Sequence, residues 1–214
     1  MEVIPVINSE TVSDAKRHLH ILQSFSPRVD RVHFDVGVPP VSTIRVPLFP
    51  QIFQEYADQF SFELHCMVPE ELFFSRAHRA PGVKRIFYHL NEIHNMERFE
   101  FLMRSWRKQG IEVGVVVRST DVLRDIVLPR GVHSALVLSV VPGRAGQKFQ
   151  ARTLRVISFL KEKYPRVILT VDGGITPVIA KKLIALHVTR VTSATYIWES
   201  KNPEEAYKKL VESC

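Results

Sequence analysis

The residues best suited to chemistry are two histidines and two aspartates at the ends of apolar, strand-like runs. His33 and Asp35 are two positions apart in the sequence. On a strand their side chains would therefore project from the same face and could bind one ion or one substrate together. Two later runs end in His65 and in Asp172. Two imidazoles and two carboxylates, each at the end of a probable strand, predict a single metal-centred site.

The donor set indicates which metals would suit such a site. Two nitrogen and two oxygen donors are of borderline softness, which favours Zn, Mn, Fe or Co over Ca. We therefore expect one divalent metal ion, and the sequence does not choose among these four. His89 also ends an apolar run. Its position alone is equally consistent with a hydrogen-bonded polar residue outside the site and with a member of the site.

Eight short apolar runs alternate with longer helical patterns, at a spacing typical of repeated βα units and a parallel sheet. The runs are nearly continuous in apolar residues, as expected when helices cover the sheet. Because eight parallel strands close naturally into a barrel, we predict an α/β fold, a (β/α)8 TIM barrel, with residues 1–214 forming one domain. The predicted strands are Val3–Ile7, Val29–Asp35, Ser61–Met67, Arg85–His89, Glu112–Val117, Ser134–Ser139, Val167–Asp172 and Arg190–Ser193.

Several helices carry start signals. Thr176 and Asn202 each precede a proline, the arrangement of an N-cap followed by proline at the first helical position. Asn95 can cap a helix that runs toward Gln109, and Gly110 can terminate it. In a barrel of this kind the active site lies at the carboxyl ends of the strands, where the candidate metal ligands fall.

Composition excludes several classes of protein. The net charge is +7, but the basic residues are scattered and do not alternate with aromatic residues, so we do not expect a nucleic-acid partner. No apolar stretch approaches the roughly 18–20 residues needed to span a bilayer, and we expect no membrane partner. The two cysteines, Cys66 and Cys214, form no disulfide framework, which favours a reducing cytoplasm.

Five segments resemble the ribulose-phosphate 3-epimerase family, in the family's order and spacing and over nearly the whole chain. The Pro-Gly-x-x-Gly-Gln-x-Phe and Val-Asp-Gly-Gly-Ile motifs are the most specific of them. The segments are Pro5–Ser9, His33–Val36, Leu64–Val68, Ser139–Phe149 and Val171–Ile175.

The resemblance implies a ribulose-phosphate-binding barrel with one divalent metal ion held by His33, Asp35, His65 and Asp172. In the family the two aspartates also serve as acid and base on opposite faces of the substrate, so Asp35 and Asp172 are the expected catalytic residues. The implied reaction inverts C3 of a ketose phosphate, such as ribulose 5-phosphate to xylulose 5-phosphate. The implied partner is a small phosphorylated sugar, and family members are often dimers or hexamers, which allows a homo-oligomer.

The chain departs from the family pattern around the substrate. The loop over 36–42 reads Val-Gly-Val-Pro-Pro-Val-Ser and lacks the family's methionine and second acid. Val6 replaces a serine and Leu138 a methionine, whereas Met67 keeps the methionine of the third strand. The pattern therefore predicts an intact metal site beside a remodelled substrate site.

Glycine-containing loops after the sixth, seventh and eighth strands are the expected phosphate site, because glycine lets the backbone N–H groups approach an anion closely. Arg144 could place a guanidinium on the phosphate or stand as an exposed loop residue, and the sequence leaves both open. Met67 is expected beside the sugar. The candidate phosphate-binding residues are Gly143, Arg144, Gly146, Gly173, Gly174, Ala194 and Thr195.

Three functions compete. A metal-dependent sugar-phosphate 3-epimerase accounts for all four ligands and for the glycine-rich loops. A non-catalytic barrel that binds a metal or a phosphorylated ligand is the alternative, against which the four intact ligands argue. Nucleic-acid binding, the third function, is supported only by the net charge of the chain.

Overall fold

The computed structural model describes residues 1–38, 50–76, 80–142 and 146–214. Eight parallel strands form a closed barrel in sequence order, with β8 hydrogen-bonded back to β1. The predicted TIM barrel is therefore confirmed. The strands are β1 Glu2–Ile7, β2 Arg31–Gly37, β3 Ser61–Met67, β4 Val83–His89, β5 Glu112–Arg118, β6 Ser134–Leu138, β7 Ile168–Asp172 and β8 Arg190–Ser193.

Helices follow the strands and cover the outside of the barrel, except between β5 and β6, where the chain forms only a 3-10 turn. Two short 3-10 turns, Leu90–Glu92 and Leu123–Asp125, follow β4 and β5. No helix among the described residues has both the length and the apolar character that a bilayer-spanning segment needs. The helices are α1 Val12–Gln23, α2 Pro50–Glu55, α3 Glu70–Arg76, α4 Met96–Lys108, α5 Thr153–Lys163, α6 Pro177–Ala185, α7 Thr195–Trp198 and α8 Pro203–Glu212.

The predicted caps are present. The side chains of Thr176, Asn202 and Asn95 each accept a hydrogen bond from the backbone N–H three residues later, at the start of α6, α8 and α4. These bonds satisfy donors that the first turn of a helix leaves free. Gly110 follows α4 with φ of +79°, a backbone conformation that glycine adopts without steric cost.

Side chains alternate between the barrel interior and the helix-facing side, as the strand repeat of two requires. An apolar plug of Phe87, Val116, Leu136 and Leu138 fills part of the interior. Gly114 makes room for this plug, since a Cβ there would lie 2.7 Å from the Phe87 ring. Polar side chains are buried beside this plug, among them His33, Glu63 and Arg85 on β2, β3 and β4.

Candidate active site

β2 and β3 bring three of the four predicted metal ligands together. Asp35 is the register partner of His65, and Oδ1 of Asp35 lies 3.1 Å from Nδ1 of His65. The same oxygen lies 3.5 Å from Nε2 of His33. One ligand atom from each of the three residues lies within 4.8 Å of the other two. The side chains of His33 and Asp35 project from the same face of β2, as their i, i+2 spacing predicts.

The donor atoms of this cluster fit a divalent metal ion. Nε2 of His33 is buried and has no hydrogen-bond partner among the residues that the structure describes, because Oδ1 of Asp35 at 3.5 Å is too distant for a good hydrogen bond. A buried nitrogen without a partner is costly, and a cation would satisfy it. Imidazole nitrogens with a carboxylate oxygen are ligands that Zn and its neighbours accept.

Asp172, the fourth predicted ligand, ends β7 and lies outside the 4.8 Å cluster. Its Oδ1 accepts a hydrogen bond of 2.5 Å from the hydroxyl of Thr192 on β8, which holds the carboxylate on that side of the barrel. Asp172 nevertheless lines the same cavity of about 540 Å³ as Asp35 and His65. Two carboxylates from β2 and β7 thus face one cavity.

The two carboxylates differ in their tendency to ionise. Burial opposes ionisation of Asp35, but its contacts with His33 and His65 outweigh burial and hold the pKa of this carboxyl well below its usual range. For Asp172, burial and the neighbouring charge of Asp35 together raise the pKa. Such a pair, with pKa values pushed in opposite directions, can divide the roles of base and acid.

The second nitrogen of each histidine also has a partner. Nδ1 of His33 lies 2.7 Å from Oε1 of Glu63, and both side chains are fully buried. Burial lowers the pKa of His33, but the carboxylates of Asp35 and Glu63 outweigh it and raise the value to about 10. Nε2 of His65 lies 2.9 Å from Nε2 of His89. His89 is therefore part of the site, which its sequence position alone did not decide.

Glu63 was missed by the sequence analysis. It occupies an interior-facing position of β3, two residues before His65. An acidic residue inside an otherwise apolar strand is the signal that identifies it, because a charged side chain is almost never fully buried without a partner. That partner is Arg85 on β4, whose Nη1 donates to Oε2 of Glu63 at 2.5 Å.

The predicted phosphate-binding residues that the structure describes all line the cavity: Gly146, Gly173, Gly174, Ala194 and Thr195. The backbone N–H of Gly146 donates to Oγ1 of Thr195 at 3.1 Å, which joins the loop after β6 to the loop after β8. Gly173 and Gly174 have φ values of +100° and +63°, which glycine adopts far more readily than other residues. Met67 lines the same cavity.

Some predicted features lie outside the described residues. They are Gly143 and Arg144 of the candidate phosphate loop and positions 39–42 of the altered loop after β2. The substitutions Val6 and Leu138 are described, and both side chains line the cavity. Cys66 alternates with His65 and packs in the helix-facing core, where burial raises the pKa of its thiol to about 12.

Comparison with solved structures shows other proteins that share this fold. A 3-keto-L-gulonate-6-phosphate decarboxylase from Vibrio cholerae superposes with a TM-score of 0.72 at 13% identity, over 100% of this chain and 96% of the other. A 3-hexulose-6-phosphate synthase from Salmonella typhimurium gives 0.70 at 16% identity, over 100% and 98%. At these identities the likeness is one of fold alone.

Comparison of the sequence is more specific. The model of the ribulose-phosphate 3 epimerase family matches residues 3–198. The chain is 27% identical to the ribulose-phosphate 3-epimerase of Schizosaccharomyces pombe over 153 residues, or 70% of this chain and 64% of that protein. It is 30% identical to the ribulose-phosphate 3-epimerase of Helicobacter pylori J99 over 71% of each chain. It is 22% identical to the cytoplasmic isoform of the Oryza sativa ribulose-phosphate 3-epimerase, over 86% of this chain and 82% of that one. The chain therefore belongs to the ribulose-phosphate 3-epimerase family of carbohydrate isomerases.

Proposed function

We propose that this protein is a metal-dependent epimerase that inverts C3 of a ketose phosphate in the cytoplasm. The substrate is ribulose 5-phosphate or a related ketose phosphate. The observation that carries the proposal is the meeting of Nε2 of His33, Nδ1 of His65 and Oδ1 of Asp35 in a cavity that Asp172 also lines. This arrangement offers a cation site and two carboxylates around one space of about 540 Å³.

Inversion next to a ketone needs a group that removes the C3 proton and a second group that returns one from the other face. Asp35 and Asp172 are assigned to these roles, each acting as base in one direction of the reaction and as acid in the other. Their strands, β2 and β7, are three positions apart around the closed barrel, so the two carboxylates approach a substrate from different sides. The contacts with His33 and His65 lower the pKa of Asp35, whereas burial and the charge of Asp35 raise the pKa of Asp172, so the two carboxylates differ in basicity.

His33, Asp35, His65 and Asp172 would hold the divalent ion. Bound there, such an ion supplies a Lewis acid that stabilises the charge developing on the ketone oxygen. The unpartnered Nε2 of His33 supports the assignment. Asp172 would complete the ligand set from the opposite side of the cavity.

The phosphate would bind backbone N–H groups of the loops after β6, β7 and β8. Gly146, Gly173 and Gly174 give the close backbone approach, and the hydroxyl of Thr195 already links two of these loops. The net charge of +7 would raise the rate at which an anionic substrate arrives. Val6 and Leu138, which depart from the family pattern, line the cavity. For this reason related ketose phosphates stay candidate substrates beside ribulose 5-phosphate.

The decisive test follows isotope exchange at C3. The protein, loaded with Zn, Mn, Fe or Co, is incubated in deuterated water with ribulose 5-phosphate and a panel of other pentulose and hexulose phosphates. Deuterium should enter C3 as the epimer appears. Both signals should fall by about 10²- to 10⁴-fold in Asp35→Asn and in Asp172→Asn, which is the usual contribution of an acid–base group. Asp125→Asn, at an exposed position between β5 and β6, is the matched control and should retain activity. If the protein binds metal but none of these substrates exchanges its C3 proton, the epimerase proposal is wrong and a non-catalytic binding barrel is the better description.

A further inference from the structure

Each histidine of the candidate metal site has one nitrogen facing the cluster and the other held by a buried side chain. For His33 the outer nitrogen is Nδ1 and its partner is Glu63, at 2.7 Å. For His65 the outer nitrogen is Nε2 and its partner is His89, at 2.9 Å. Because the two nitrogens of an imidazole lie on different edges of one rigid ring, a bond that fixes one nitrogen also fixes the direction of the other.

We propose that Glu63 and His89 are positioning residues of the metal site, which set the tautomer and the ring orientation of His33 and His65. This inference rests on the metal site proposed above. A carboxylate or other acceptor on the far nitrogen of a metal-binding histidine is a general device for presenting the near lone pair to the ion. Here the two histidines use different kinds of partner, an acid and a neutral imidazole.

The proton assignments follow from the donors and acceptors. The carboxylate of Glu63 can only accept, so Nδ1 of His33 carries a proton, and in the metal-bound protein Nε2 would present its lone pair to the ion. Nε2 of His33 is the atom that is buried without a hydrogen-bond partner. His65 needs a lone pair on Nδ1, which lies 3.1 Å from Asp35. Its Nε2 must then donate to Nε2 of His89, which accepts.

Glu63 is itself held in place. Arg85 donates from Nη1 to Oε2 of Glu63 at 2.5 Å and from Nε to Oε2 of Glu112 at 3.0 Å. Both oxygens of Glu63 therefore have partners, one on the histidine and one on the arginine. Glu112 contacts the same arginine from its other side and does not touch His33, which makes it a matched control.

The rings of His89 and His65 are also packed together, with centroids 5.0 Å apart and an angle of 30°. Packing and hydrogen bonding can be separated by substitution. His89→Phe keeps an aromatic ring against His65 but removes the acceptor, whereas His89→Gln restores an acceptor on a side chain without a ring. If the hydrogen bond matters, only the phenylalanine variant should weaken the site.

The experiment measures the affinity of the intact protein for Zn²⁺ by competition with a chromophoric chelator, together with the visible spectrum of the Co²⁺ form. Glu63→Gln and His89→Phe should each weaken Zn²⁺ binding by about 10- to 100-fold and change the Co²⁺ spectrum. Glu112→Gln and His89→Gln should stay within about threefold of the parent protein. In the Zn²⁺-loaded protein, ¹⁵N shifts of the imidazoles should show the proton on Nδ1 of His33 and on Nε2 of His65.

The outcomes separate this inference from the proposed function. If the parent protein binds Zn²⁺ but Glu63→Gln and His89→Phe bind it equally well, the positioning roles are wrong and the epimerase proposal stands. If the parent protein binds no divalent ion, the metal site itself is wrong. Circular dichroism in the presence of chelator identifies a variant that fails to fold. Should Glu63→Gln be that variant, His89→Phe, which removes no formal charge, decides the question.

Discussion

The hydroxyl of Thr192 donates to Oδ1 of Asp172 across the β7–β8 pair, at 2.5 Å. The two residues are register partners, and Thr192 is fully buried. This bond lowers the pKa of Asp172, against burial and the charge of Asp35, which raise it. Without the hydroxyl of Thr192, the pKa of Asp172 would therefore be higher still.

Thr192→Val should raise the pKa of Asp172 further, because the hydroxyl that favours the ionised carboxylate is gone while the side-chain volume is kept. In the direction of reaction in which Asp172 accepts the C3 proton, it must be ionised. The acid-side limb of kcat/KM should therefore move to higher pH in that direction. Thr192→Ser keeps the donor and should retain the parent profile. If the acid-side limb of kcat/KM is unchanged in Thr192→Val, Asp172 is not the base in that direction.

Metal loading should stabilise the fold, because an ion that binds the native state alone shifts the unfolding equilibrium. At a free metal concentration of about 100 times Kd the gain is about 2.7 kcal/mol, or about 5–10 °C in Tm for a chain of this length. Differential scanning calorimetry with chelator and then with excess Zn²⁺ measures the shift. Asp35→Asn, which replaces the anionic candidate ligand with a neutral amide, should lose most of the gain. A gain of equal size in Asp35→Asn would place the ion elsewhere.

Gly174 should tolerate no side chain, for a reason that goes beyond its backbone angle. Its φ is +63°, and a Cβ would lie 2.2 Å from the backbone nitrogen of Phe149 in the loop after β6. Gly174→Ala should therefore displace that loop, weaken the phosphate site and raise KM for the sugar phosphate at least about tenfold, which corresponds to about 1.4 kcal/mol of lost binding. Steady-state kinetics and denaturant unfolding measure the two effects.

Gly110 is the matched control for this substitution. It has a similar φ of +79°, but a Cβ there would have no neighbour within 4 Å. Gly110→Ala should cost only the backbone strain, about 1–2 kcal/mol of unfolding free energy, with KM unchanged. Equal effects of the two substitutions on KM would show that the contact with Phe149 does not shape the phosphate site.

The sequence was sufficient for the barrel and for the core of the candidate site. The alternation of side chains along a strand predicts that His33 and Asp35 share a face, and parallel pairing brings His65 beside them. The same register pairs His33 with Glu63, so their contact follows once the stagger between β2 and β3 is known, but the sequence of either strand alone does not give that stagger. The distance of Asp172 from the cluster likewise depends on the hydrogen bond from Thr192 on the next strand.

Glu112 should make the stability of the fold sensitive to acid. Burial opposes its ionisation, but Arg85 outweighs burial and lowers the pKa of this carboxyl below its ordinary value of 4.5. Below pH 4.5 the unfolded chain then binds more protons at this position than the folded protein does. The stabilisation is therefore present above that pH and is lost as the pH falls through the folded pKa.

Chemical denaturation between pH 6 and pH 3 tests this expectation. The unfolding free energy of the parent protein should fall more steeply with decreasing pH than that of Glu112→Gln, because glutamine has no proton to take up. The difference between the two proteins should shrink as the pH falls, since protonation of Glu112 weakens its ion pair with Arg85. Glu162→Gln, at an exposed position of α5, is the control and should follow the parent curve. Parallel curves for the parent and Glu112→Gln would mean that the pairing of Arg85 with Glu112 contributes no pH-dependent stability.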